Sequence, residues 1–136
     1  MSELPKPILP LDEDLGSALG LHVDAVEDGR VTGHFDVENR VRQPFGIVHG
    51  GAHAALAESL ASVGTFHAVA GEGKIAMGMS NDTTFLRSVD SGRINAEAIA
   101  IHRGSTTWVW NVELRDENDR LCAVSRLTIA VRERRP

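Results

Sequence analysis

The sequence predicts an α+β fold in which an antiparallel sheet of five to six strands wraps around one long central helix. The helix is indicated by the segment 51–70, where seven alanines accompany Leu56, Leu60 and Val63 at helical spacing. The sheet is indicated by segments on both sides of this helix, in which apolar and polar residues alternate between turn residues. Because no second long segment has helical periodicity, this helix is expected to be the centre of the fold.

The length and composition indicate one globular domain. The chain has 136 residues, of which 42% are hydrophobic and 24% are charged, and these values are ordinary for a single domain with its own core. Residues 1–14 contain Pro5, Pro7 and Pro10 and are expected to form an irregular lead-in. Residues 15–136 are then expected to form the single domain.

Charge and cysteine content argue against several functional classes. A net charge of −5 argues against a nucleic-acid partner, and no apolar run approaches the ~18 residues that a membrane span needs. The single cysteine, Cys122, allows no disulfide within the chain and no thiolate-rich metal cage, and it is expected to be a small core residue. We therefore expect a cytoplasmic protein with neither nucleic acid nor membrane as a partner.

The first two strands are expected to form a hairpin that leads through a loop into the helix. Apolar residues recur over 21–37, where Asp28-Gly29 divides them as a turn pair, and the loop covers 38–48. The helix over 51–70 is rich in Ala, Gly and Ser, so it is thin and neighbouring backbone can approach it closely. We expect other elements to wrap this helix rather than leave it on the outside.

The chain after the helix is expected to form four antiparallel strands. Apolar and polar residues alternate in each of them, and turn residues at 90–92 and 117–119 separate them. The predicted strands are Ile75–Arg87, Arg93–His102, a segment with Trp108, Trp110, Val112 and Leu114 on one face, and Leu121–Val131.

The start of the helix is a candidate binding site for an oxygen that acquires negative charge. Gly50 and Gly51 allow a tight turn, and the first amide N–H groups of a helix have no partner within it. Together with the positive end of the helix dipole, these donors can stabilise an oxyanion. The same glycines are equally consistent with a turn that only admits close packing.

Glu58 is the candidate acidic group. It lies eight residues beyond Gly50, about two turns into the helix. Since a bare buried carboxylate is costly, Glu58 in a wrapped helix should face a cavity, a subunit interface or a partner charge. Ser62 lies four residues further on and could hydrogen-bond to it. The alternative is an exposed glutamate on the polar side of the helix.

The remaining candidates are His49 and a polar cluster at strand ends. His49 could be a general base, a metal ligand or a turn residue, and we reject a metal site because the histidines lack the spacing of a zinc site. Arg87-Ser88 and the segment 102–107 combine arginine and hydroxyls near a turn, which suits phosphate binding and also ordinary strand ends. The sequence contains no Gly-x-Ser-x-Gly elbow, P-loop or dinucleotide fingerprint.

A set of stretches matches one known family. They are Gln43-Pro-Phe-Gly-Ile-Val-His-Gly-Gly51, Leu56-Ala-Glu-Ser59, Ser62-Val-Gly64, Arg87-Ser88, His102 to Ser105, Val109-Trp110, Arg120-Leu-Cys122 and Ser125 to Thr128. Together they resemble the hotdog-fold acyl-CoA thioesterases over about residues 15–132. The resemblance is narrower with the branch of 1,4-dihydroxy-2-naphthoyl-CoA thioesterases, the enterobactin-pathway proofreading thioesterase and Arthrobacter-type 4-hydroxybenzoyl-CoA thioesterases.

The resemblance implies a thioester hydrolase that needs no cofactor, because coenzyme A is part of the acyl-CoA substrate. It also implies homodimers or homotetramers with active sites at subunit interfaces. The implied catalytic carboxylate is Glu58, the implied N–H donor to the thioester carbonyl is Gly50, and Gln43, His49 and Ser62 are implied to lie beside the reacting groups. The implied substrate-lining positions are Gly78, Phe85, Leu86, Arg87, Ser88, His102, Arg103, Gly104, Ser105, Thr106 and Thr107.

The resemblance is compatible with several acyl groups and with two chemical roles for Glu58. The implied substrates carry hydroxybenzoyl-like, dihydroxynaphthoyl-like or medium-sized acyl groups, and Phe85 stands where naphthoyl-type and proofreading members often have histidine. Glu58 is expected either to attack the carbonyl or to act as general base on water. The alternative function is a non-catalytic acyl-CoA-binding sensor or scaffold, and the combination of Glu58, Gln43 and His49 argues against it.

Overall fold

The computed structural model describes residues 8–10 and 12–135. The helices and strands in this part are α1 (Leu15–Leu19), β1 (His22–Glu27), β2 (Arg30–Asp36), α2 (Gly50–Val69), β3 (Lys74–Phe85), β4 (Arg93–Arg103), β5 (Thr107–Arg115) and β6 (Leu121–Glu133). Single-turn 3-10 helices cover Asn39–Val41 and Ala70–Glu72. Of the predicted lead-in, residues 1–7 and 11 lie outside the described residues, and residues 8–10 and 12–14 form neither helix nor strand.

The six strands form one antiparallel sheet, as the sequence predicted. Their order across the sheet is β1-β2-β4-β5-β6-β3, so β3 and β1 are the edge strands. Helix α2 follows β2 in the chain, and the chain then crosses to the far edge, where β3 pairs with β6 along its whole length from Lys74 to Phe85. This crossover places the helix across one face of the sheet and leaves the outer edge of β3 without a partner strand within the described chain.

Helix α2 packs into the sheet through its small residues. Leu56, Ala57, Leu60 and Ala61 are fully buried, and a Cβ at Gly64 would lie 2.5 Å from Cη2 of Trp110. A larger residue at position 64 would therefore overlap the indole ring. The expectation that the thin helix is wrapped by other elements is confirmed on this face.

A hydrogen-bond chain joins the helix to the sheet at the same level. Nε1 of Trp110 donates to Oγ1 of Thr65 at 2.8 Å, and that hydroxyl donates to the carbonyl oxygen of Ala61 at 2.9 Å. All three residues are fully buried, so the bonds satisfy polar groups that would otherwise be costly in the core. They also hold α2 at a defined position along its axis.

The predicted alternation of the strands is confirmed in β4 and β5. Every second residue of β4 from Ile94 to Ala98 is buried, and in β5 the buried face consists of Trp108, Trp110, Val112 and Leu114.

Cys122 at the start of β6 is fully buried, as expected of a small core residue. Burial raises the pKa of the Cys122 thiol, which keeps it in the unreactive thiol form.

The observed boundaries differ from the predicted ones by one to two residues. Helix α2 begins at Gly50 because His49 is its N-cap, whereas the sequence predicted a start at Gly51. Strand β3 ends at Phe85 rather than Arg87, since the amides of Leu86 and Arg87 both donate to the carbonyl oxygen of Cys122 and bend the chain out of the ladder. The strands β4 and β6 extend one and two residues beyond their predicted ends.

Helix α1 was missed in the sequence. Its N-cap is Asp14, whose carboxylate accepts from the amide of Ser17 at 2.7 Å, and its C-cap is Gly20 in the left-handed conformation. Asp and Gly at these positions are ordinary cap signals, but five residues are too few for a periodicity to appear.

No helix in the described residues is long and apolar enough to cross a membrane.

The substitution Gly64→Ala is expected to lower the free energy of unfolding. The new methyl group would meet Trp110 and Val31, both fully buried, and overpacking of this kind costs roughly 1–3 kcal/mol, which outweighs the ~1 kcal/mol that alanine gains in helix propensity. Urea unfolding at neutral pH measures the change. Gly71→Ala is the matched control because nothing lies within 4 Å of its added methyl group. Equal stability of the two variants would contradict the packing assigned to Gly64.

Candidate active site

The N-terminus of α2 is capped by a histidine side chain. Nδ1 of His49 accepts from the amide of Gly51 at 2.8 Å, while the amide of His49 donates to the carbonyl oxygen of Val41 at 2.7 Å. Because Nδ1 is an acceptor here, Nε2 is the ring nitrogen that is left to donate when the imidazole is neutral. His49 thus has a turn role, one of the three that the sequence left open, and its exposed ring remains available for a second one.

The amide of Gly50 is left without an acceptor in the described part of the chain. It belongs to the first turn of α2, where helical N–H groups have no intrahelical partner and where the dipole is positive. A Cβ at this position would lie 2.6 Å from the ring of Phe85, so glycine is required for the close approach of that ring. The close packing is thus observed at Gly50, and its amide is free to act as the donor that the sequence predicted.

The loop before α2 is held in a compact turn that carries Gln43. The amide of Gln43 donates to the carbonyl oxygen of Ile47 at 2.8 Å, and its side-chain Oε1 accepts from the amide of Phe45. Val48 is tied to the segment after β3, because its amide donates to the carbonyl oxygen of Val89 at 2.8 Å. These bonds place Gln43 and His49 beside the end of β3.

A groove of about 460 Å³ lies between this loop, the start of α2 and the end of β3. Its size falls within the range of small-ligand sites. Its walls are largely apolar, and its lining residues are Gln43, Ile47, Val48, His49, Gly50, Gly51, His53, Phe85, Leu86, Arg87, Ser88 and Val89. Seven residues that the sequence proposed as site residues meet here, namely Gln43, His49, Gly50, Phe85, Leu86, Arg87 and Ser88.

His53 lines the same groove and was not predicted as a site residue. Only 4% of its surface is exposed, and its ring lies between Phe35 and Phe85 with centroid distances of 5.7 and 6.2 Å. Its Nδ1 is buried without a hydrogen-bond partner in the described residues. Burial lowers the pKa of His53 to about 4. Its spacing of three residues from Gly50 was the available sequence signal, since it places both on one side of the first turn.

Glu58 lies outside this groove and beside the edge strand β3. A Cβ at Gly78 would lie 3.0 Å from Cδ of Glu58, so the missing side chain at Gly78 makes room for the carboxylate. Asn81, which the sequence did not single out, donates from Nδ2 to the carbonyl oxygen of Ala54 at 3.0 Å and lies 3.4 Å from Oε1 of Glu58. A polar amide in β3, opposite the one acid of the helix, was the signal that could have identified it.

Within the described residues Glu58 lies on an exposed side of the helix, which leaves a subunit interface among the surroundings expected for it. Its side chain is exposed, and within the described residues it has no cationic partner, so the helix is wrapped on the face of Leu56 and Leu60 but not on this one. No hydrogen bond joins Ser62 to Glu58 in the described chain, and the hydroxyl that bonds back to the helix is that of Ser59, which donates to the carbonyl oxygen of Ala55 at 2.8 Å.

Glu58 and Gly50 of one chain are too far apart to act on one carbonyl group. Eight residues at a rise of 1.5 Å separate them by about 12 Å along the helix axis. Glu58 is therefore available to a group on the open side of β3, whereas the Gly50 amide opens into the groove.

The segment 102–107 lies at the opposite end of α2 from the groove. Arg103, Gly104 and Ser105 line a second concavity together with Ala68 and Val69, which end the helix. Twenty helical residues span about 30 Å, so one chain does not bring this segment to the groove. Nη2 of Arg103 binds Oδ1 of Asp28, and its guanidinium lies 4.5 Å from the centroid of the Trp108 ring.

The other members of this segment form the turn between β4 and β5. The amide of Gly104 donates to the carbonyl oxygen of Thr107 at 2.9 Å, and the carbonyl oxygen of Thr106 accepts from Nη1 of Arg132 at 2.8 Å. His102 is exposed. Among the described residues, no group of three or more His, Cys, Asp or Glu residues is arranged to hold a metal ion.

Comparison with known proteins places this chain in a family. The chain matches the model of the Thioesterase superfamily over residues 45–123. It is 36% identical to the 1,4-dihydroxy-2-naphthoyl-CoA hydrolase of Listeria monocytogenes over 121 residues, which cover 89% of this chain and 98% of that protein. It is 37% identical to the protein of the same name from Escherichia coli over 113 residues, which cover 83% of this chain and 82% of that one.

A solved structure agrees with the sequence relatives. A thioesterase of Haemophilus influenzae superposes with a TM-score of 0.84 at 36% identity, covering 89% of this chain and 84% of that one. The chain therefore belongs to the Thioesterase superfamily and has the hotdog fold that the sequence resemblance implied. It is a thioester hydrolase.

Burial of His53 is expected to make folding stability depend on pH below neutrality. The pKa is about 4 in the folded chain against an ordinary 6.5, so the unfolded state binds more protons as the pH falls through 6.5 and stability is lost. Between pH 7.5 and pH 5.5 this loss amounts to about 1.3 kcal/mol. The difference between wild type and His53→Leu in urea unfolding at the two pH values measures it.

The control for this experiment replaces an exposed histidine of the same helix. His67→Asn removes a histidine near the C-terminus of α2 without touching the groove. An equal loss of stability on acidification in wild type and in His53→Leu would contradict the neutral, buried state of His53.

Proposed function

We propose that this enzyme hydrolyses an aromatic or medium-sized acyl-CoA thioester to the free acid and coenzyme A. The observation that carries the proposal is the unpaired amide of Gly50 at the floor of a largely apolar groove. An apolar groove suits an aromatic acyl group, and the amide suits its thioester carbonyl. Two relatives named for hydrolysis of 1,4-dihydroxy-2-naphthoyl-CoA support a hydroxylated aromatic acyl group.

The reduced, buried thiol of Cys122 fits a cytoplasmic enzyme.

The amide of Gly50 would polarise the carbonyl. In the tetrahedral state the carbonyl oxygen becomes an oxyanion, and the N–H group and the helix dipole stabilise that charge more than the neutral ground state. Gln43 and His49 flank this amide in the groove. Nε2 of His49 can donate a further hydrogen bond to the substrate, since Nδ1 is engaged as the N-cap acceptor.

Glu58 would supply the chemistry at the carbonyl carbon by one of two routes. As nucleophile, its carboxylate forms a mixed anhydride and expels the coenzyme A thiolate, and water then cleaves the anhydride to regenerate Glu58. As general base, it removes a proton from water while that water attacks, and the intermediate collapses with loss of the thiolate. In both routes the thiolate takes up a proton and leaves as the thiol. The position of Ser62, one turn beyond Glu58, suits a hydroxyl near the attacking water.

We propose further that each active site combines Gly50 of one subunit with Glu58 of another, in a homodimer or homotetramer. The separation of about 12 Å along α2 prevents the two from meeting within one chain. Glu58 lies beside β3, whose outer edge has no partner strand in the described part of the chain and whose Met77 and Met79 are half-exposed. An exposed edge strand of twelve residues with apolar side chains favours pairing with a second copy.

The coenzyme A part would be held by residues from both ends of α2. Arg87 and Ser88 lie at the rim of the groove, and within the described residues the Arg87 guanidinium makes no hydrogen bond or ion pair, so it is free to bind phosphate. The segment 102–107 lies too far from the groove of its own chain. This segment would instead contact the coenzyme A that enters the groove of a neighbouring subunit. Gly78, which lies beside Glu58, would be close to the place where the two subunits meet.

Glu58→Gln is expected to fold normally and to reduce thiol release from acyl-CoA thioesters by at least ~100-fold, because the amide can neither attack nor accept a proton. A colorimetric thiol assay with benzoyl-CoA, hydroxybenzoyl-CoA and straight-chain thioesters measures this. Glu113→Gln is the matched control, since Glu113 is exposed on β5, paired with Arg115 and remote from α2.

The same assay separates the enzyme from the alternative of an acyl-CoA sensor. Turnover that is unchanged in Glu58→Gln would remove Glu58 from the mechanism. Binding of coenzyme A thioesters by calorimetry without thiol release by the wild type would favour the non-catalytic sensor or scaffold.

Mixing two inactive variants is expected to restore activity if the sites are shared between subunits. Gly50→Pro removes the amide donor at the first helical position, where proline is favoured and where the extended backbone of His49 tolerates it. Random reassociation of Gly50→Pro with Glu58→Gln produces mixed dimers with one intact site, and the preparation should recover about a quarter of wild-type activity. Thiol release after co-refolding measures the recovery.

Gly50→Ala is the control for this variant because its Cβ meets Phe85 in the same way while the amide is kept. The kcat of Gly50→Pro should lie ~100–1,000-fold below that of Gly50→Ala. A mixture of the two inactive variants that stays inactive would show that Gly50 and Glu58 do not act together across a subunit interface.

A further inference from the structure

His53 is a groove residue that the mechanism above does not use, although its polar atoms have no partner. Neither ring nitrogen takes part in a hydrogen bond in the described part of the chain, and Nδ1 is fully buried. Buried polar atoms almost always have a partner, because an unpaired one loses its hydrogen bonds to water without replacement. Since the protein encloses Nδ1, Nε2 is the ring nitrogen that stays open to the groove, where a group on the ligand can be its partner.

His53 lies directly beside the amide that is assigned to the thioester carbonyl. It follows Gly50 by three residues, which places it about 4.5 Å further along α2 and on the same side of the helix. Phe85 contacts both positions, since its ring is 2.6 Å from the place of a Gly50 Cβ and its centroid is 6.2 Å from that of the imidazole. A group bound to His53 must therefore be close to the carbonyl carbon rather than at the far end of the acyl chain.

The residues of its own chain that pack around His53 are apolar. Phe35 packs against the core side of the ring, and Val48, Phe85 and Leu86 make the nearby groove walls apolar. Burial keeps the imidazole neutral at physiological pH, with its pKa lowered to about 4. A carboxylate or ammonium group placed against this apolar wall would lose its hydration, and the neutral imidazole itself offers no counter-charge. A neutral imidazole offers one donor and one acceptor, and a hydroxyl group matches either.

We propose that Nε2 of His53 binds a hydroxyl group on the acyl part of the substrate, at the carbon adjacent to the one that bears the thioester, as in a 2-hydroxyaryl thioester. The inference rests on the proposed function, because the thioester carbonyl must be held at the Gly50 amide. His53 is then a specificity-determining residue. A site that contains a buried hydrogen-bonding group rejects an analogue without the hydroxyl, because the group is left unpaired.

The test compares three aromatic thioesters in the wild type and in His53→Phe. The substrates are 2-hydroxybenzoyl-CoA, 4-hydroxybenzoyl-CoA and benzoyl-CoA, and the quantity is the ratio of kcat/KM for each hydroxylated substrate to that for benzoyl-CoA. The 2-hydroxy ratio should fall at least tenfold in His53→Phe, because the ratio to benzoyl-CoA cancels any effect of the substitution that the two substrates share. The 4-hydroxy ratio should not change, because its hydroxyl points away from the carbonyl.

A second measurement observes the hydrogen bond itself and needs no catalysis. The imidazole ¹⁵N resonances of wild type are recorded while 2-hydroxyphenacyl-CoA, a thioether that cannot be hydrolysed, is added, with phenacyl-CoA as the control. The His53 resonances are those missing in the spectrum of His53→Phe, or of His53→Gln should the former not fold. They should shift with the hydroxylated thioether and not with the control.

The outcomes separate the two proposals. Thiol release by wild type with the same 2-hydroxy ratio in the His53 variant, or equal ¹⁵N shifts with the two thioethers, would overturn the role of His53 and leave the proposed function intact. Absence of thiol release by wild type from any thioester would overturn the proposed function, and the inference that depends on it would fall as well.

Discussion

The close packing of α2 against the sheet determines where every candidate residue lies. Gly64 admits the ring of Trp110 to the helix backbone, and the bonds from Trp110 through Thr65 to Ala61 fix the helix along its axis. Because the helix cannot slide, its first turn is held beside the end of β3 and its middle beside the centre of β3. Both candidate groups of the helix, the amide of Gly50 and the carboxylate of Glu58, take their positions from this contact.

The same packing divides the chemistry between two places. The groove at the start of α2 offers an amide donor and apolar walls, while Glu58 lies about 12 Å away beside Gly78 and Asn81. In the proposed mechanism the two places act together, one with the donor and the other with the carboxylate. The edge of β3 that borders Glu58 has no partner strand within the described residues, and the proposed pairing of that edge with a second copy would bring the two places together.

The groove combines features that the proposed function assigns to specificity and to catalysis. Its floor carries the Gly50 amide and its walls are apolar, so an aromatic acyl group can be desolvated while its carbonyl keeps a hydrogen bond. His53 adds a neutral polar group at one point of this apolar wall. Phe85 forms the opposing surface and contacts both Gly50 and His53, so the same ring shapes the acyl site and limits its size.

The sequence by itself determined the features that depend on local pattern. The alternation in β4 and β5, the alanine-rich periodicity of α2 and the glycines at its start predicted the sheet, the central helix and the donor at Gly50, because period and turn chemistry are properties of neighbouring residues. Only the tertiary structure decided that Asn81 meets Glu58 and that Phe85 lies between Gly50 and His53. These contacts depend on how β3, returning after a crossover, is aligned with α2. That alignment is set by the packing of side chains far apart in the chain, such as Gly64 and Trp110, which no local pattern contains.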